Sequence, residues 1–338
     1  MPYYTLNYWS DSPLDNFIET PSSSTFQPSS PSTLHRIFIG DEGLRAGWGL
    51  LLFLFLFIVP LLVVLHLLHL KSHRNEPVSP TFMLSLEGAQ FAWALVVTWI
   101  MSKIEGRPLG VYGLGGRHKA ARFFAGLGWG VLFLSLLVLI LSKTGVLVID
   151  RRLLFGSDVL RYGAIWLVGF LFVALLEEYL VRGYIQYTLT RGLAAIYRLA
   201  FKTSHSHAFG FWTAALILSF IFGFGHGHNP GESPIGLLSA GSIALVFCLT
   251  LWRTGSLWWA VGLHAAWDWS QSFLYGVADS GTFVKFHLLA SHPTGKPLIS
   301  GGTTGPEGSV YVLLIELLIV MVILATLPAR KPELEPSI

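Results

Sequence analysis

The 338-residue sequence contains one cysteine, Cys248, and few charges, with Asp, Glu, Lys and Arg making up only 12% of it. A lone cysteine excludes an intrachain disulfide and a thiolate zinc site of the CxxC kind, so any metal would need His and carboxylate ligands. Soluble domains carry roughly 25% charged residues, and here 53% are hydrophobic with a mean hydropathy of +0.60. An ordinary soluble globule is therefore excluded. The formal charge of +3 comes from Lys and Arg scattered between apolar blocks, where such residues set topology. No run of them resembles a nucleic-acid footprint, so nucleic acid is not expected as a partner.

The apolar residues fall into blocks near 46–70, 82–102, 123–142, 160–188, 209–227, 235–252, 256–276 and 309–327, each long enough to cross about 30 Å of hydrocarbon as a helix. This predicts an all-α polytopic membrane protein, a bundle of about eight transmembrane helices in one domain over 44–328. Residues 1–43 are rich in Ser and Pro and read as a disordered cytoplasmic tail; 329–338 form a second tail. The first segment is too polar for the front of a cleavable signal peptide, and Asp11, Asp15 and Glu19 argue against a transit peptide, so the first span is expected to be an uncleaved anchor. The loops bearing Arg36 and Arg45, Lys103 to Arg122, Arg191 to Lys202, Arg253, and Arg330 with Lys331 are the more basic set, which predicts both termini in the cytoplasm. The short Trp252 to Gly255 connection predicts that the sixth and seventh helices pack together.

An ionisable side chain at bilayer depth costs about 3 kcal/mol, so each is a functional candidate unless something simpler accounts for it. Four places qualify. In the fourth span, Glu177 and Glu178 project about 100° apart on a helix. Glu178 and Arg182 have the i,i+4 order that favours an ion pair, which leaves Glu177 without a local partner. The bland alternative is a helix emerging among headgroups with Arg182 snorkelling. His226 follows Phe222 by four residues at an expected helix end; a lone histidine there can serve only the helix dipole, and His228 reads as loop. His264 and Asp268 are i,i+4 and share a face, which suits a metal ligand with an orienting carboxylate or a hydrogen bond that merely locks two helices. Glu316, in the last span, has no polar company within a turn and must be paired elsewhere or protonated.

The ordered set Glu-Glu-x-x-x-Arg, Phe-x-x-x-His and His-x-x-x-Asp resembles the CAAX prenyl protease type II family, also called the CPBP or Abi family of intramembrane endopeptidases. The resemblance covers about 160–277. It implies that Glu177 activates water, that Glu178 supports it or pairs with Arg182, that His226 binds or polarises, and that His264 with Asp268 stabilises the transition state. The family's third motif often ends in Asn, so Asp268 adds a negative charge. Glu177, His226, His264 and Asp268 are also a ligand inventory that zinc could use, although no His-Glu-x-x-His is present and the ligands would come from three helices. A metalloprotease and a metal-free, glutamate-dependent enzyme both fit. The implied partners are the bilayer and a peptide or protein substrate; prenylated C-termini are the eukaryotic substrate type, and other members are linked to peptide processing and immunity. A proton-coupled transporter would use the same buried groups as relays, and a non-catalytic membrane adaptor or immunity protein would use them only for packing. One tension accompanies these spans. With straight, centred helices, Glu177 and His226 would lie at different depths.

Overall fold

The computed structural model describes residues 33–40, 43–67 and 76–329. Residues 1–32 and 330–338, with the tail expectations made for them, lie outside that set. Residues 33–40, which composition assigns to the tail, are structured: Thr33–Phe38 is helical, and the Trp48 indole donates to the Ile37 carbonyl at 3.1 Å.

Helices dominate, in the order α1 (Ala46–Leu67), α2 (Pro80–Glu105), α3 (Lys119–Lys143), α4 (Ser157–Glu177), a π-helical segment (Glu178–Ile185), α5 (Gln186–Phe201), α6 (Ser206–Gly225), α7 (Pro234–Thr254), α8 (Trp258–Trp269) and α9 (Val312–Thr326). Local chemistry sets several ends. At α2 the Ser79 hydroxyl accepts from the Phe82 amide and Pro80 opens the helix, while Gly106, at φ 65°, closes it. Ser233, Pro234 and Gly255 do the same for α7. These are the preferred residues for each position, because an N-cap oxygen satisfies an orphan amide and glycine tolerates the left-handed turn.

Among the described residues, six helices are long and apolar enough to cross a bilayer, counting α4, the π segment and α5 as one 45-residue rod, Ser157–Phe201. The protein is an integral multi-pass membrane protein. The remaining two of the eight apolar blocks are shorter helices, of 12 residues in α8 and 15 in α9. A small antiparallel pair, β1 (Leu147–Arg152) with β2 (Leu289–Pro293), joins the loop before α4 to the long loop after α8.

The expected pairing of the sixth and seventh helices is met only in part. α7 and α8 do touch, with the Phe247 and His264 rings 5.7 Å apart, but α8 lies mainly along α3. A Cβ on Gly126 would fall 2.1 Å from the Trp259 carbonyl oxygen, and one on Gly262 2.1 Å from that of Phe123. Small residues let membrane helices approach backbone to backbone, where dispersion replaces the missing hydrophobic drive. Gly262→Ala should therefore destabilise the protein by ~1–3 kcal/mol or more through overpacking. Gly128→Ala, whose Cβ would meet open space, should leave thermal unfolding in detergent unchanged; equal melting temperatures for both variants would reject this account of the α3–α8 contact.

Candidate active site

Glu177 closes α4 and Glu178 opens the π segment, so the two acids leave the rod in different directions and meet different surroundings. Glu178 is fully buried. Its Oε1 lies 3.1 Å from Arg182 Nη1 and 3.1 Å from His264 Nδ1 on α8. The Arg182 guanidinium in turn stacks over the Phe222 ring at 4.4 Å, so a charged pair is held together by carboxylate, imidazole and aromatic face. The Glu177 side chain remains 33% exposed. It lines an open cavity together with Val181, Ile185, Leu218, Phe222 and His226.

His264 bridges the two acids. With Nδ1 toward Glu178, its Nε2 faces Glu177 Oε2 at 3.8 Å and Asp268 Oδ2 at 3.5 Å, one turn along the same helix. The carboxylate at Nδ1 makes that nitrogen the donor and thereby fixes which nitrogen meets the cavity. His226 is oriented in the same manner: its Nδ1 sits 2.8 Å from the Phe222 carbonyl, which leaves Nε2 for the cavity side. The predicted site residues are thus drawn to one place. Glu177, Glu178, Arg182, His264 and Asp268 are in direct succession, and Phe222 and His226 flank them from α6.

The tension over depth disappears because the fourth apolar rod does not end near residue 188. It continues to Phe201, turns at 202–205 and returns as α6. Glu177 and His226 are therefore near-equivalent positions on the two arms of one hairpin. His228 is exposed and sits 3.2 Å from the Gly225 carbonyl; it lines neither cavity beside the site. Glu316 has its partners on another helix, accepting hydrogen bonds from Ser239 at 2.8 Å and Ser242 at 2.5 Å.

The loop after α8 brings two acids that the motif reading missed. A cleft of about 630 Å³, including its mouth, is lined by His226, His264, Asp268, Glu316, Asp279 and Glu307 among others. Asp279 accepts from the Ser272 hydroxyl at 3.2 Å. Glu307 accepts from the Ser280 amide at 2.5 Å and from the Gln271 side-chain amide. Burial raises the Asp279 carboxyl to about 6 against the Ser272 hydrogen bond, and burial followed by the Asp279 charge holds Glu307 well above the usual carboxylate range. Neither acid sits in a helical pattern, so their only mark in the sequence is an acid in a polar loop.

Among the described residues, no three His, Cys, Asp or Glu side chains are so placed that they could hold a metal ion.

The three motifs, in this order and meeting between two adjoining cavities that share Phe222 and His226, lie within a segment that a known family also matches. Residues 160–270 match the family of Rce1-like, type II CAAX prenyl endopeptidases. No curated protein and no solved structure matches the chain. The Rce1-like segment contains Glu177, Glu178, Arg182, Phe222, His226, His264 and Asp268; Asp279, Glu307 and Glu316 lie C-terminal to it.

Proposed function

We propose that the chain is an intramembrane endopeptidase in which Glu177 is the general base. One observation carries this reading: of two adjacent acids, Glu178 closes on Arg182 and His264 while Glu177 alone opens into a cavity. A water between Glu177 and His264 would give a proton to the Glu177 carboxylate as its oxygen bonds to the scissile carbonyl carbon. Negative charge then develops on the former carbonyl oxygen, where His264 in its imidazolium form can donate to it from Nε2; His226 holds its proton on Nδ1 toward the Phe222 carbonyl and offers Nε2 as an acceptor. When the tetrahedral species collapses, the C–N bond breaks and Glu177 returns the proton to the leaving amine. Asp268, at 3.5 Å from His264 Nε2 and one turn along the same helix, orients the ring for this donation.

The family resemblance supports a membrane-associated peptide, prenylated or not, as substrate. The test is cleavage of quenched fluorescent peptides, with and without a prenylated cysteine near the C-terminus, by purified protein before and after chelation. Hydrolysis at an internal bond is the expected result, and activity that survives chelation would establish the metal-free form. No cleavage of any peptide, together with proton-coupled flux in proteoliposomes that Glu177→Gln abolishes, would replace the peptidase by a transporter.

A further inference from the structure

Arg182 lines a third cavity, about 990 Å³ including its mouth, that takes in neither acid of the first motif nor His226, His264 or Asp268. It lies between α5, α6, the end of α7 and the short helical turn Leu109–Tyr112. Arg107, Arg182, Arg191 and Arg198 all line it, and no acidic side chain does among the described residues.

The floor carries a stronger sign than the charge. Arg182, Gln186 and Thr190 follow one another at four-residue steps along one continuous rod and are 2%, 1% and 5% exposed. Arg182 Nη2, Gln186 Nε2 and Thr190 Oγ1 are buried there without a hydrogen-bond partner. Buried donors are seldom left unsatisfied, because each forfeits its hydration. Guanidinium and amide nitrogens can only donate, so what completes this floor is an acceptor, and the surrounding arginines make it an anion. Arg107 and Arg191 are set in place by Glu105, at 3.7 and 3.9 Å, which is itself outside the cavity lining.

We infer that this cavity is a binding site for a phosphate group, carried by an anionic phospholipid. A phosphate offers more acceptor oxygens than a carboxylate, and planar guanidinium groups pair with it bidentately. The surroundings select the lipid source: Val111 in the lining, Leu109 on the same short turn, and Leu199 and Phe201, one and three residues beyond the lining Arg198 in α5, are exposed apolar side chains on which acyl chains can lie.

The experiment uses the full chain in nanodiscs of phosphatidylcholine with or without phosphatidic acid, followed by native mass spectrometry of the lipid retained in detergent. Phosphatidic acid should be retained in preference to phosphatidylcholine. Gln186→Leu with Thr190→Val should weaken retention by about tenfold or more, since a hydrogen bond to a charged group is lost at each position. Arg198→Gln, an exposed substitution that leaves the buried floor intact, should weaken it several-fold. Retention equal to the parent in both variants would overturn the site. So would displacement of phosphatidic acid by a peptide with a free C-terminal carboxylate but not by its amide. Thermal stabilisation by inorganic phosphate matching that by phosphatidic acid would uphold the phosphate chemistry and assign it to the free ion.

Discussion

Glu177→Gln is expected to lower kcat by about 10²–10⁴-fold, the usual worth of a positioned general base. The protein should still insert and purify as a monodisperse species. Glutamine keeps the shape and hydrogen bonding of the side chain but cannot take the proton of water. Glu177 makes no hydrogen bond that folding depends on and is one-third exposed, so stability should change little. His264→Ala should cost a comparable factor, through a lost donor to the oxyanion, and should also loosen Glu178, whose carboxylate it meets at 3.1 Å. Turnover retained by Glu177→Gln in steady-state peptide assays would remove the base from the mechanism. A variant that unfolds in detergent would instead point to the packing role that a membrane adaptor predicts.

Arg182→Ala should be the most destabilising single change at the site, by ~3–5 kcal/mol, because it strands a buried carboxylate without its counter-charge. Glu178 is fully buried and Arg182 is 2% exposed, so water cannot substitute for the missing guanidinium. The lost guanidinium also leaves the Phe222 ring it covers at 4.4 Å. Arg182→Met with Glu178→Gln should recover most of the loss, since removing both charges removes the desolvation problem. Melting temperatures of the single and double variants in one detergent decide the matter; a double variant no more stable than Arg182→Ala would show that the pair is not what holds this region together.

Much of the site could be read before the structure because it obeys helical spacing. The Glu178–Arg182 pair and the His264–Asp268 pair are both one turn apart and both meet. Apolar blocks marked the helices well because no charge could remain in lipid without a reason. What escaped the reading has no period. The rod of α4 and α5 runs on to Phe201 through a stretch where Thr188, Thr190, Arg191 and Arg198 dilute the apolar residues, so a hydropathy window ended it too early, and the π segment at 178–185 leaves no trace in residue pattern. Such wide turns are often found at functional sites, here between the two acids and the arginine. The α3–α8 contact depends on glycines whose importance is visible only once both backbones are placed. Asp279 and Glu307 reach the cleft by a loop held through Gln271, Ser272 and Ser280, contacts made within irregular backbone that no helical spacing announces.

The shortness of α8 is a property of the interior and not of the lipid face. Twelve residues rise only about 18 Å, less than the ~30 Å of hydrocarbon, and none of Trp258–Trp269 is exposed, so the missing length falls inside the bundle. There the wide turn of Ser270–Leu274 hands over to the loop that carries Asp279 into the cleft. Irregular backbone is tolerated within a membrane protein where it is enclosed by protein or lines a polar cleft, and the helix gives up its last turns so that polar groups can enter from the loop side.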